Sequence, residues 1–146
     1  MPTFPETLLL CLVGLAACCD IASRRIPNFL VVSGLAAALW LHPVLGGPLA
    51  SLRVGLAGAL AGGAIFLPLY LLRGMAAGDV KLMAMAGAFL GPATAVLAAM
   101  LSCIAGGALA LLMLAASRCT GRPVTEMPYG VAIALGTACA LAATHG

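Results

Sequence analysis

Charged residues stand far apart in this chain, and the segments between them are long and almost entirely apolar. An α-helix needs about 20 apolar residues to cross the hydrocarbon core of a bilayer, because it rises about 1.5 Å per residue. Divided at its charges and its Gly-Pro breaks, the chain predicts six membrane helices. Their approximate bounds are 7–19, 28–41, 54–72, 80–90, 93–117 and 129–144.

Two of the predicted helices are too short to cross. The first run spans the bilayer only if Asp20 is carried inside the helix near its end; otherwise it does not cross. The run at 80–90 is only about 17 Å long at about 1.5 Å per residue, so it must extend backwards or begin below the surface. Gly91-Pro92 supplies its turn into the next helix, since proline cannot continue the hydrogen-bond ladder.

The second and third predicted helices are separated by a predicted loop at 42–53, which contains His42-Pro43 and Gly46-Gly47-Pro48. The third helix carries Gly58-x-x-x-Gly62. That spacing of small residues favours close packing against a neighbouring membrane helix.

Composition supports an all-α fold, a polytopic transmembrane helix bundle. Hydrophobic residues make up 64% of the chain and charged residues only 8%, whereas a soluble domain averages about 25% charged residues. A soluble domain and a disordered chain are thereby excluded.

The net charge is +3, and the basic residues form no stripe, so no nucleic-acid partner is expected. We expect one integral-membrane domain over 1–146, with the lipid bilayer as its surroundings.

Basic residues predict the orientation, because cytoplasmic loops are enriched in Lys and Arg. The odd-numbered predicted loops carry nearly all of them and the even-numbered ones carry only Arg53. Both termini should therefore face outward. The odd-loop residues are Arg24, Arg25, Arg73, Arg118 and Arg122, with Lys81 just beyond.

The six cysteines show no metal-ligand spacing, with neither a C-x-x-C pair nor a matching His. We interpret them as small buried hydrophobic residues. No metal and no cofactor are predicted.

Asp20 and Asp79 are the only aspartates in the chain, and both fall at the predicted cytoplasmic ends of membrane helices. A carboxylate inside the membrane is energetically costly, so each of these aspartates is a candidate functional residue. Each could instead be a solvated helix-end residue, and Asp79 could be a helix N-cap. If the two lie together, they should share one proton, so that one acts on a water and the other donates to a carbonyl oxygen.

Two sequence stretches resemble the type IV prepilin peptidases, bacterial membrane aspartyl proteases of the GxGD class. The first is Asp20-x-x-x-x-Arg25-Ile26-Pro27-Asn28 and the second is Gly78-Asp79-Val80-Lys81-Leu82. Met127-Pro128-Tyr129-Gly130 also looks like the start of the family's last helix. The resemblance implies Asp20 and Asp79 as catalytic residues. It also implies supporting or substrate-contacting roles for Gly78, Lys81, Arg25, Pro27 and Asn28.

The chain departs from the family pattern in two places. Ala76 stands where the first Gly of G-x-G-D is usual, so either the loop is stiffer or the strained position is Gly78 alone. The cysteine-rich segment of the long, methylating members is missing. The chain thus resembles the short forms that serve Tad/Flp pilus systems.

The resemblance implies an endopeptidase of the bacterial inner membrane. It would remove the short leader from Flp-like prepilin or pseudopilin precursors at the cytoplasmic face, without a cofactor. The competing hypothesis is a small non-enzymatic transporter or pilus-assembly scaffold whose two aspartates bind ions.

Lys81 lies two positions from Asp79, so it should point to a different helix face.

Overall fold

The computed structural model describes residues 3–23, 25–46, 48–121 and 128–145, and these ranges form α-helices and turns with no β-strand. Six helices are present in them, as the sequence predicted. They are α1 (Phe4–Ser23), α2 (Asn28–Gly46), α3 (Pro48–Leu71), α4 (Ala77–Leu90), α5 (Pro92–Thr120) and α6 (Tyr129–His145).

Three stretches of the described helices are long and apolar enough to cross a membrane: Phe4–Ser23, Leu52–Leu71 and Pro92–Cys119. Their large apolar side chains are largely exposed on the outside of the bundle, where a soluble protein would carry charges. The prediction of a helical multi-pass membrane protein is confirmed.

Helix α4 is the centre of the bundle. It contacts each of the other five helices, and these form a ring around it in the order α1, α2, α3, α5, α6. Its interior-facing residues are almost fully buried, including Leu82, Met83 and Met85. A helix that is apolar on nearly every side fits such a position. At 14 residues, α4 is about 21 Å long and shorter than the bilayer core.

Glycines let α3 approach α4 closely. A Cβ at Gly58 would lie 2.0 Å from the Gly87 carbonyl oxygen, and one at Gly62 would lie 2.6 Å from the Met83 carbonyl oxygen. The two backbones are therefore in direct contact, and the pairing order shows that the helices run antiparallel. The Gly58-x-x-x-Gly62 packing prediction is confirmed, with α4 as the partner.

The predicted loop between the second and third helices was wrong in its length, although one helix ends at Gly46 and the next begins at Pro48, as the break at Gly46-Gly47-Pro48 predicted. Helix α2 continues through Pro43 to Gly46, and α3 already begins at Pro48, so Arg53 lies inside a helix. Proline suits the first position of a helix, where its missing N–H costs nothing. Membrane helices also tolerate an internal proline, since α3 contains Pro68 as well.

The two short predicted helices are longer in the structure. Helix α1 has 20 residues and includes Asp20 near its end, which is the alternative in which this segment is long enough to cross. Helix α4 extends backwards to Ala77 and takes Asp79 into its first turn. Gly91, at φ 76°, turns the chain directly into α5, as Gly91-Pro92 predicted.

The cysteine prediction was wrong in one respect. All six are free, but none is buried in the protein: Cys11, Cys18, Cys119 and Cys139 are exposed, and the other two are partly exposed. Apolar runs place a residue in the membrane, and the helix face then decides whether protein or lipid covers it.

Candidate active site

Asp20 lies near the end of α1 and is held by the first turn of α6. Its side chain is buried, with 7% of the residue exposed. Its Oδ2 accepts a hydrogen bond of 2.8 Å from the backbone N–H of Gly130. The first N–H groups of a helix have no intrahelical acceptor, so Asp20 satisfies one of them and is fixed in return.

The Asp20 contact depends on Gly130 having no side chain. A Cβ at Gly130 would lie 2.9 Å from Asp20 Oδ2 and 3.0 Å from Asp20 Cβ. Any other residue would push the carboxyl group away from the N–H that holds it. Sequence reasoning missed this role, although Tyr129-Gly130 at the start of the last helix was the available signal.

Asp79 lies in the first turn of α4, with 4% of the residue exposed. Its Oδ2 accepts a hydrogen bond of 3.1 Å from the N–H of Ala76, the residue that caps the helix. Asp79 is thus the third residue after the cap and not the N-cap itself. A carboxylate in the first helical turn is also stabilised by the helix dipole.

Alanine fits the position where the family pattern has its first glycine. Ala76 has φ −80° and ψ 153°, an extended conformation open to any residue. Gly78 is inside α4 and is not among the described residues with positive φ, which are Arg73, Gly91 and Gly121. The suggestion of strain at Gly78 was therefore wrong. An added Cβ at Gly78 would lie 3.4 Å from the Cβ of Ile26, which is an ordinary packing distance.

The two aspartates meet at one end of the bundle, which we call the aspartate end. Asp20 accepts a hydrogen bond from the Gly130 N–H in the first turn of α6, and Gly78, beside Asp79 in the first turn of α4, faces Ile26 of the connection that follows α1. Helices α1, α4 and α6 contact one another in all three pairings. The described parts of α3 pack against α4 and make no contact with α1.

A comparison with family models decides the assignment. The chain matches the model of the type IV leader peptidase family over residues 7–111. The chain belongs to that family. It is therefore a peptidase, and hence a hydrolase, of a multi-pass membrane type. No curated protein and no solved structure gives a significant match.

The family match includes both aspartates of this leader peptidase, but not Gly130, which lies beyond residue 111. The structure therefore places the first turn of α6, which lies beyond the matched residues, beside Asp20. Met127 and Glu126 lie outside the described residues.

The remaining predicted site residues of this leader peptidase lie on α4, at the start of α2 or in the connection before α2. Lys81 Nζ donates to Asn28 Oδ1 at 3.3 Å, on the side of α4 away from the buried Asp79. Arg25 and Pro27 are exposed in the short connection before α2. Their contacts with substrate remain a prediction.

At the opposite end of the bundle, His145 Nε2 lies 2.9 Å from Glu6 Oε1 and joins α6 to α1. His145 is thus remote from both aspartates. Among the described residues, no group of three or more His, Cys, Asp and Glu side chains could hold a metal ion.

Proposed function

We propose that this chain is an aspartic endopeptidase that removes the short leader from Flp-like type IV prepilin or pseudopilin precursors. It would act as one integral-membrane domain over 1–146 in the bacterial inner membrane, with its active site toward the cytoplasm. One observation carries the proposal: the only two aspartates of the chain are buried at the same end, on different helices, each held by a backbone N–H.

The arrangement supports acid–base hydrolysis of a peptide bond. Two carboxyl groups in a buried site ionise together only with difficulty, so the pair holds one proton. The ionised carboxylate removes a proton from water as the water oxygen attacks the scissile carbonyl carbon. The protonated aspartic acid donates its proton to the carbonyl oxygen, which gives a tetrahedral diol.

Collapse of the diol completes the reaction. The C–N bond breaks, and the departing nitrogen takes a proton from the carboxyl group that gained one from water. The diol hydroxyl returns its proton to the other aspartate as the new carboxylic acid forms. In both groups Oδ2 accepts a hydrogen bond from a backbone N–H, which holds the carboxyl group in position during these proton transfers.

The substrate class follows from the resemblance and from the position of the site. A precursor with a short basic leader followed by an apolar helix could keep its leader in water while the helix stays in the bilayer. Asp20 and Asp79 both lie near helix ends. A transporter would instead place its carboxylates near the bilayer midplane, often on broken helices.

The test is cleavage of the cognate precursor by membrane-inserted variants. Asp20→Asn and Asp79→Asn should each lower the rate at least about a hundredfold, the usual scale of general acid–base catalysis. The double variant should be little worse, because residues that act as a unit are not additive.

Glu6→Gln is the matched control for these variants, since it makes the same carboxylate-to-amide change at the opposite end of the bundle. It should cleave at the wild-type rate, and Glu126→Gln should keep substantial activity. If folded Asp20→Asn or Asp79→Asn trims the precursor normally, the two-aspartate mechanism is wrong and the scaffold or transporter hypothesis gains.

A further inference from the structure

Lys81 is an exposed cation on the central helix of the bundle. Helix α4 contacts all five other helices, yet the Lys81 side chain is accessible from outside. At about 3.6 residues per turn, a separation of two residues places Lys81 nearly opposite Asp79. The opening that exposes Lys81 is therefore on the other side of α4 from the aspartates.

One face of α4 becomes steadily more exposed toward the aspartate end. Ala88 is fully buried, Ala84 is partly buried, and Lys81 and Ala77 are exposed. These residues are three or four positions apart, so they form one stripe along the helix. The bundle thus covers this stripe at Ala88 and leaves it uncovered at Ala77.

The stripe lies between α2 and α3. On one side of it, α3 contacts α4 at Met83 and Gly87. On the other, Gly34 of α2 faces Met85 and Asn28 of α2 bonds to Lys81. The stripe therefore runs between α2 and α3, which leave α4 uncovered at the aspartate end. We call the resulting gap the α2–α3 wedge and define it by Ala77, Lys81 and Ala84.

The wall of the wedge on the α3 side is apolar. A Cβ at Gly63 would lie 3.4 Å from the Cβ of Ala84, which places Gly63 at the base of that wall. One and two turns further, Leu67 and Leu71 continue the same face, and both are at least 47% exposed.

The mouth of the wedge is positively charged. Lys81 has the uncharged Asn28 as its hydrogen-bond partner. Arg25 precedes α2 and Arg73 follows α3, and both are exposed. Among the described residues the acidic groups lie elsewhere: Glu6 is at the opposite end, and Asp20 and Asp79 are buried behind α4.

We propose that the α2–α3 wedge binds one anionic phospholipid. The phosphate would accept hydrogen bonds from Lys81 and the flanking arginines, and an acyl chain would lie along the apolar wall toward Ala84. Basic pockets between membrane helices suit such headgroups. A soluble anion lacks the chain that fills the apolar part, and a zwitterionic lipid carries its own balancing cation.

The test measures lipid retained by the whole protein. The protein is extracted in mild detergent, incubated with equal amounts of phosphatidylglycerol and phosphatidylcholine, and examined by native mass spectrometry. Wild type should retain one phosphatidylglycerol in preference to phosphatidylcholine. Lys81→Gln should lower that occupancy about fivefold, the usual effect of one basic residue at an anionic surface, and Lys81→Arg should preserve it.

Arg118→Gln is the matched control, because it removes one exposed basic group from the last turn of α5, a helix that does not contact α2 in the described structure. It should leave lipid occupancy unchanged. Equal retention of the two lipids, or equal losses in Lys81→Gln and Arg118→Gln, would overturn the proposal. So would unchanged lipid occupancy in Lys81→Gln together with a raised KM for precursor, since a substrate helix would then occupy the wedge. Circular dichroism of each variant shows that the fold is retained.

Discussion

Replacing Gly130 by alanine should disable the site while leaving the bundle intact. The added Cβ would lie 2.9 Å from Asp20 Oδ2, 3.0 Å from its Cβ and 3.3 Å from its Cγ. Contacts this short force α1 and α6 apart or rotate the carboxyl group. Either movement breaks the 2.8 Å hydrogen bond from the Gly130 N–H.

The size of the effect follows from that hydrogen bond. A hydrogen bond to a charged group contributes about 1.5–3 kcal/mol. If transition-state stabilisation falls by this amount, kcat falls about tenfold to a hundredfold. KM for the precursor should change little, because Gly130 would act by positioning Asp20, the proposed acid–base residue, and need not touch the leader.

The assay is cleavage of the precursor in membranes, with kcat and KM determined separately. Gly14→Ala is the matched control on α1, since a Cβ at Gly14 would meet no atom within 4 Å. It should cleave normally, and alanine favours a helix over glycine by about 1 kcal/mol. Normal kcat in folded Gly130→Ala, or an equal loss in Gly14→Ala, would refute the view that Gly130 positions Asp20.

Three further predictions concern packing, orientation and chemistry. Gly58→Ala should destabilise the fold by about 1–3 kcal/mol, the typical cost of overpacking, because its Cβ would lie 2.0 Å from the Gly87 carbonyl oxygen. Thermal unfolding measures this loss of stability. Gly63→Ala is the control and should cost much less, because its Cβ would lie 3.4 Å from the nearest atom. A reporter fused after Ser23 should report the cytoplasm, and a periplasmic signal would put the aspartates on the wrong face. Cleavage should continue in a metal chelator, because two carboxyl groups suffice for the acid–base steps; loss of activity that zinc restores would contradict this.

The number of helices could be predicted because each apolar run between charges is long enough for only one or two spans. The end of α2 and the start of α3 could not, because Pro43 and Pro48 have opposite meanings in a helix interior and at its first position. The sequence alone does not determine whether each of these prolines lies inside a helix or at its first position. Only packing in three dimensions decides between them.

The placement of Asp20 and Asp79 at one end of the bundle could be predicted, because they are the only aspartates of the chain and both fall at the ends of predicted helices. The contribution of Gly130 to this candidate site could not. Gly130 acts through its backbone N–H and its missing side chain, and the chain contains 18 glycines that look alike in sequence. Contact between α1 and α6 alone distinguishes this glycine from the others.

The helices are synthesised in chain order, so the central position of α4 has a consequence for biogenesis. A segment of 14 residues with Asp79 and Lys81 in its first turns is a poor candidate for insertion into lipid on its own. It gains its full surroundings only after α5 and α6, which follow it in the chain, have entered the membrane. Asp20 likewise meets the N–H of Gly130 only when α6 arrives. A partly synthesised chain should therefore be proteolytically silent, and activity should begin only once the last of these helices is in place.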